Sequence, residues 1–483
     1  MPESRLKYIK IVKAGLLVGI LCLAFYMAFI PHINYQYPLH VDEWHHYGLA
    51  QALASAESTT YTEPFCGTTI NNDHTEVGFH ILLATMKSVT GLSWNNIFRF
   101  SPSFIFLFTV LAAYIMGRRQ GFGIEAAFFT AMIPTTVRIL GPAFLVPVSL
   151  GLAFFPTLIF ILHNFKVTYS KAVLIFILLA ALLLFHPPTG VALAFVSVIY
   201  AVFYGVAHRH LGATRARVAL ILGAVLASSL VLILRFPALI AEQWGTLGQD
   251  YYLPLFRDTN DKFGYATMVI FIIGLFFLCY RGKYRNYALI AYTVVFLLQI
   301  VLFSQFNIGI GIMYDRSFMY LFILASIIAG YGLKELRLSL GRYLNKCRGI
   351  VPIVMAILVT LLVFLSVRSH LREPYYYIVD DQTYEDFIWI RDSLDASYNR
   401  AVMDSWVAFP FPPITGRFIY TFSAIAPDAE RIARLVEVEA FFAQGGSDTG
   451  WLRENGISII YTQDPIDNPD LEKVRDRIYL LTD

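Results

Sequence analysis

Residues 35–53 read YQYPLHVDEWHHYGLAQAL, and the position of this stretch in the chain decides the fold. It follows an apolar run, 12–30, that falls in the range of about 17–25 residues needed to cross a bilayer as a helix. If that run crosses, the acidic pair Asp42 and Glu43 stands at the far surface. A lipid-borne and a water-borne substrate can both reach that place. The rest of the chain then reads as a frame for two carboxylates.

Composition agrees with a membrane setting. Of 483 residues 57% are hydrophobic, against about 45–50% in a soluble globular chain, and the mean hydropathy is +0.59. The chain reads as an integral membrane protein. Its four cysteines, Cys22, Cys66, Cys279 and Cys347, are dispersed, and this spacing predicts neither a disulfide framework nor a cysteine metal site. The first apolar run follows Arg5, Lys7, Lys10 and Lys13 and lacks a small-residue cleavage site, so it reads as a retained signal anchor.

Further runs of spanning length fall at 97–116, 144–162, 188–206, 217–235, 264–280, 287–304, 316–333 and 350–367, with shorter ones at 124–137 and 172–186. Together these predict about 11 transmembrane helices. Val77–Leu92 is decided by charge. If it lies along the outer surface as a juxtamembrane helix, 19 Lys/Arg collect on the N-terminal side of the membrane, and seven (Lys87, Arg99, Arg138, Arg235, Arg257, Lys262 and Arg316) lie opposite, before the C-terminal region. Cations collect in cytoplasmic loops. The expected N-terminus is therefore cytoplasmic and the C-terminus extracytoplasmic, with outer loops at 32–96, 236–263 and 305–314.

From Arg368 onward the composition becomes that of a soluble domain, with 11 Lys/Arg against 20 Asp/Glu. The basic surplus thus belongs to the membrane part and argues for lipid-facing loops and no nucleic acid. Residues 1–367 form the expected membrane module and 368–483 a small extracytoplasmic α/β domain. In that domain Phe387, Ile390 and Leu394 mark a helix, Ala401–Met403 and Ile457–Tyr461 read as buried strands, and another helix starts at Asp428 and stops at Gly445-Gly446.

Carboxylates beside an apolar surface suit proton abstraction, and two of them can hold a divalent cation; an acidic pair that opens a helix also suits the helix dipole without any chemistry. Asp42 and His46 are i, i+4 on a helix, so Asp42, Glu43 and His46 are the metal candidates, with a divalent cation as the possible cofactor. His186-Pro187-Pro188 reads as a helix-ending turn. Arg99, Arg138, Arg235 and Arg316 all fall at outer span ends. An arginine there anchors the interface or grips phosphate; Arg316, in MYDRSF, is the first choice for phosphate, with Asp315 beside it, and Arg417, in PPITGR, is a further candidate.

A membrane anchor, an outer loop with an acidic pair (VDEWHHYGLAQAL), a helix ending in a Gly turn (EVGFHILLATMKSVTGLS) and an arginine opening a new span (IFRFSPSFIFLFTVLAAYIMGRR) together resemble the GT-C-fold glycosyltransferases, nearest the protein O-mannosyltransferase and aminoarabinose-transferase branches. The resemblance covers about 35–120. It implies a GT-C-like polytopic α-helical fold, a polyprenyl-phosphate-linked sugar donor, and a lipid, glycan or protein acceptor. It also implies that Asp42, the first acid of the loop, is the catalytic base, with Glu43 beside it. Many members carry a His-Pro-Pro turn before the juxtamembrane helix; here the turn reads His74-Thr75-Glu76, and His74 joins Arg316, Arg99, Arg138 and Arg417 among the substrate-binding candidates.

Glycosyl transfer from such a donor needs a base for the acceptor and positive charge for the departing phosphate, and no general acid. A transporter or flippase instead places ionisable residues near the bilayer midplane and shows repeated halves, whereas these spans are nearly free of charge and no halves are apparent. A non-catalytic assembly scaffold with an outward domain is the third reading.

Overall fold

The computed structural model describes residues 3–70, 76–136, 140–235, 263–344, 349–375, 377–423 and 429–482. They fall into two compact units. One comprises Met1–Asn34 and Arg99–Tyr375, the other Tyr35–Phe98 and Tyr376–Asp483. The expected outer loop 32–96, assigned above to the membrane module, thus folds almost entirely with the C-terminal residues.

The first unit is helical. Among the described residues eight helices are long and apolar enough to span, including Trp94–Arg118, Pro147–Asn164, Pro187–Ala207, Tyr284–Phe306 and Ile350–Leu371. Tyr169–Phe185 and Tyr265–Arg281 add two apolar helices of 17 residues each. A helix satisfies its backbone groups internally, which is why apolar runs in a bilayer adopt it. Ile353, Ile357, Leu361 and Phe364 of Ile350–Leu371 are exposed, an arrangement that lipid tolerates and water does not. These helices make the chain an integral membrane protein.

Run 124–137 builds helix only over Gly123–Thr130, eight residues, or about 12 Å at 1.5 Å per residue. That is less than half of a hydrocarbon core of about 30 Å. Pro134 disfavours helix at the residue before it, and the short helix is buried against Gly311–Tyr343, where a Cβ on Gly330 would collide with the backbone of Ala126. Gly311–Tyr343 has 33 residues and is buried through most of its length. A Cβ on its Gly332 would run into the carbonyl of Ile270 and the backbone of Gly274, so this glycine lets two helices touch backbone to backbone.

In the second unit, helix Val41–Ala56 is followed by a hairpin of β1 (Tyr61–Thr62) and β2 (Thr69–Ile70), then helix Val77–Thr90. That helix stops where the sequence placed a Gly turn: Gly91 has φ +66° and donates its N–H to the carbonyl of Lys87. The left-handed conformation costs glycine no Cβ clash. Beyond residue 376, strands β3 (Arg400–Val402), β4 (Phe418–Ile419), β5 (Ile459–Tyr461), β6 (Leu471–Arg475) and β7 (Ile478–Leu481) form one mixed sheet in the order β4-β3-β5-β7-β6. β3 is parallel to β4 and β5, and β7 is antiparallel to β5 and β6. Helices Asp381–Ser393 and Ala429–Ala443 flank the strands in sequence. The expected α/β pattern is present, with β3 and β5 where the sequence put them; the proposed cap Asp428 lies outside the described residues.

Loop and tail are joined by both backbone and side-chain hydrogen bonds. Ile419 donates its N–H to the carbonyl of Phe65 at 2.8 Å, and the Tyr37 hydroxyl donates to Asp381 at 2.9 Å.

Candidate functional site

Helix Val41–Ala56 begins at the acidic pair because of what precedes it. His40 is the N-cap, in extended conformation, and its Nδ1 accepts the Asp42 N–H at 3.2 Å. An imidazole thus does the work that Ser or Asp usually does at this position. Tyr35 and Tyr37 pack edge to face, and the Tyr35 hydroxyl accepts the N–H of Val379. Burial pushes the Tyr35 phenol up, which keeps it a neutral hydrogen-bonding group.

The two acids have different surroundings. Glu43 is fully buried and its Oε2 accepts the N–H of Leu39 at 2.7 Å, a backward reach like that of a capping-box glutamate. Asp42 keeps 22% of its side chain exposed, with Oδ2 3.8 Å from His40 Nδ1. Glu43 therefore fastens the turn, and Asp42 is the more exposed carboxylate of the two. The family resemblance put Asp42 first of the two; the difference in burial is what the structure adds.

His46 was paired above with Asp42 as a metal candidate. It hydrogen-bonds instead to His80, its Nδ1 to the His80 Nε2 at 3.0 Å, both rings buried, and its own Nε2 lies 4.0 Å from the Glu76 carboxylate. One ring must donate and the other accept, so between neutral rings the bond requires the same tautomer in both: Nδ1–H if His46 donates, Nε2–H if His80 donates. Among the described residues no group of three or more His, Cys, Asp or Glu could hold a metal ion. His74 and Arg138 lie outside the described residues.

In the first unit Arg99 donates to the carbonyls of His32 and Ile33 at 3.1 and 3.4 Å and lies over the rings of Phe29 and Phe100. This is the anchoring alternative for an interfacial arginine. Arg417, in the second unit, has its fork engaged: Nη1 donates to the carbonyls of Asp395 and Tyr398, and Nη2 to those of Ile390 and Leu394. It closes the C-terminal end of helix Asp381–Ser393, whose last carbonyls lack helical partners, and this engagement withdraws it from phosphate binding.

Arg316 sits in the second turn of helix Gly311–Tyr343, half-buried, with Nε lacking a hydrogen-bond partner among the described residues. Its charge bears on His186 and Tyr320. These two are linked through Thr189: His186 Nδ1 to Thr189 Oγ1 at 2.6 Å, and Thr189 Oγ1 to the Tyr320 hydroxyl at 2.8 Å. His186 ends one helix and starts the next, with Pro187 at N1, as the His-Pro-Pro turn predicted. Sequence reading missed Thr189 and Tyr320 as its partners. Tyr320 is i+4 from Arg316 on one helix face, a spacing that was available as a signal.

No family model matches the sequence, and no curated protein matches it in sequence. Solved structures are similar in fold. The archaeal oligosaccharyltransferase AglB from Archaeoglobus fulgidus, in complex with an inhibitory peptide and a dolichol-phosphate, superposes with a TM-score of 0.65 at 10% identity over 94% of this chain and 70% of its own. ArnT from Cupriavidus metallidurans, bound to undecaprenyl phosphate, gives 0.57 at 12% identity over 97% of both chains. The arabinofuranosyltransferase AftD from Mycobacteria gives 0.61 at 15% identity over 95% of this chain and 37% of its own. With its apolar helices and its mixed C-terminal sheet, this chain has the GT-C fold.

Proposed function

We propose that this protein is a membrane glycosyltransferase that moves a sugar, hexosyl or pentosyl, from a polyprenyl-phosphate donor to an acceptor on the extracytoplasmic face. The observation that carries this reading is the division within the acidic pair: Glu43 buried and fastened to backbone, Asp42 at the helix start and open to a substrate.

In the proposed reaction the acceptor oxygen attacks the anomeric carbon from the face opposite the phosphate. The new C–O bond forms as the old one breaks, its electron pair leaves on the phosphate oxygen, and the configuration inverts. Asp42 takes the acceptor's proton. Phosphate is a good leaving group and needs charge stabilisation more than a proton. Arg316 is proposed for that role, with the His186–Thr189–Tyr320 chain beside it. The solved structures of similar fold that hold dolichol-phosphate or undecaprenyl phosphate support a lipid-phosphate donor here. Mass spectrometry of lipid-linked and surface glycans, with and without this protein, tests the reading. A lipid-linked sugar should accumulate and one surface sugar should disappear when the protein is absent; unchanged glycans would reject transfer in favour of transport or scaffolding.

The proposed orientation puts the N-terminus in the cytoplasm and the residues after 368 outside, on the same side as Cys66. The hydrogen bonds between loop and tail support a shared side, since both belong to one compact unit. Burial pushes the Cys66 thiol up to about 11, and its Sγ lies 3.8 Å from the carbonyl of Tyr420. The thiolate is the reactive form. An impermeant maleimide should therefore label Cys66 in intact cells slowly at neutral pH, with a rate that climbs about tenfold per pH unit until the pH nears the thiol's pKa. A cysteine placed in the tail should share the sidedness. Labelling of Cys347 but not of the tail would reverse the topology.

A further inference from the structure

The second unit contains a cavity of about 350 Å³, at the small end of the roughly 300–1,000 Å³ typical of ligand sites. Its walls come from three parts of that unit. Helix Val41–Ala56 contributes His45, the β1–β2 hairpin contributes Glu63 and Cys66, and the segment after β4 with helix Ala429–Ala443 contributes Thr421, Phe422, Glu430, Arg431 and Arg434.

Three features indicate a ligand rather than a packing void. A void left by imperfect packing is lined by apolar side chains and stays dry, whereas this one has four charged groups on its walls. Thr421 is 5% exposed, yet its hydroxyl has no hydrogen-bond partner among the described residues. A buried hydroxyl without a partner costs free energy, so such a group is one that an ordered water or a ligand satisfies. The guanidinium groups are also held in place. Arg431 lies 4.5 Å over the ring of Phe422, and Arg434 lies over Tyr420 while its Nη2 bonds Glu430 at 2.6 Å.

The charges decide the class of ligand. Glu63 and Glu430 balance Arg431 and Arg434, and Glu430 is already paired with Arg434. A phosphate or carboxylate would need a cationic surplus. A polyol meets this wall differently: each hydroxyl both donates and accepts, so it can give to a carboxylate and take from a guanidinium or the Thr421 hydroxyl, and its C–H face can lie against aromatic rings. We infer that this cavity binds a neutral sugar residue non-covalently. Only the identification of that sugar as part of the acceptor rests on the transfer reading, because His45 in the wall is one helical turn from Asp42; binding itself does not.

Cys66 in the wall supplies the measurement. In full-length protein carrying Cys22→Ala, Cys279→Ala and Cys347→Ala, reconstituted in nanodiscs, the rate of Cys66 labelling by a maleimide is followed at pH 8.5. Methyl glycosides of mannose, glucose, galactose and arabinose are titrated, with inorganic phosphate and pyrophosphate as the anionic arm. At least one glycoside should slow labelling saturably, and the anions should not. Thr421→Val keeps the shape of the side chain and removes the unpartnered hydroxyl. It should leave the thermal midpoint unchanged or higher while weakening glycoside protection about three- to tenfold, the worth of one neutral hydrogen bond. Arg431→Ala should abolish protection; if that variant does not fold, Thr421→Val alone decides. Protection by phosphate alone, by no probe, or by glycosides with undiminished strength in Thr421→Val would overturn the inference. No transfer is measured, so loss of the glycosyltransferase reading would leave this result standing.

Discussion

Asp42→Asn should leave a folded protein that hardly transfers sugar, with turnover lower by about 10²–10⁴, the usual loss when a general base is removed. The substitution keeps the shape of the side chain and takes away its basicity. The N–H of Asp42 still donates to His40 Nδ1, so the helix start is retained and expression should be unaffected. Glu43→Gln is the companion. Glu43 is buried and accepts the Leu39 N–H, a bond that the amide oxygen of glutamine can also accept, so activity should fall far less than in Asp42→Asn. The measurement is single-turnover transfer by purified protein in nanodiscs. Near-normal turnover in Asp42→Asn would remove this residue from the chemistry, and equal losses in both variants would point to a shared structural role.

Arg316→Ala should lower kcat by about 10²–10³, the range seen when one charge-stabilising group is removed, with little change in yield. Negative charge grows on the bridging oxygen as the sugar leaves, so a positioned cation counts for more in the transition state than in the ground state. Arg316→Lys keeps the charge and loses the planar fork, and should retain partial activity. The alternative is that Arg316 only supports the neighbouring His186–Thr189–Tyr320 chain. In that case Arg316→Ala would reduce stability or yield and leave kcat and KM for the lipid donor unchanged per folded molecule. That outcome would move the search to Arg138. Arg99 and Arg417 are weaker substitutes because backbone carbonyls already engage them.

The sequence by itself determined what depends on local composition. Runs of apolar residues became spanning helices because a bilayer offers the backbone no other partner. Gly91 ended a helix because the left-handed cap suits glycine, and Ala401 and Ile459 fell in buried strands because short β-rich apolar runs have few other uses in a soluble domain. The acidic pair was legible for the same reason: two carboxylates directly beyond an apolar anchor are unusual in any window. Tertiary structure decided everything that needs a partner distant in the chain. The resemblance set Asp42 ahead of Glu43, but only burial shows that Glu43 is held by backbone and that Asp42 is exposed. Arg417 resembled a phosphate ligand until the carbonyls of a helix end, more than twenty residues away, claimed its fork. His46 turned to His80 across 34 residues, and loop 35–98 joined the C-terminal sheet through a hydrogen bond between Phe65 and Ile419. Local patterns record how a segment meets its solvent; which polar group satisfies which other depends on long-range closure of the chain, and no short window of sequence carries that information.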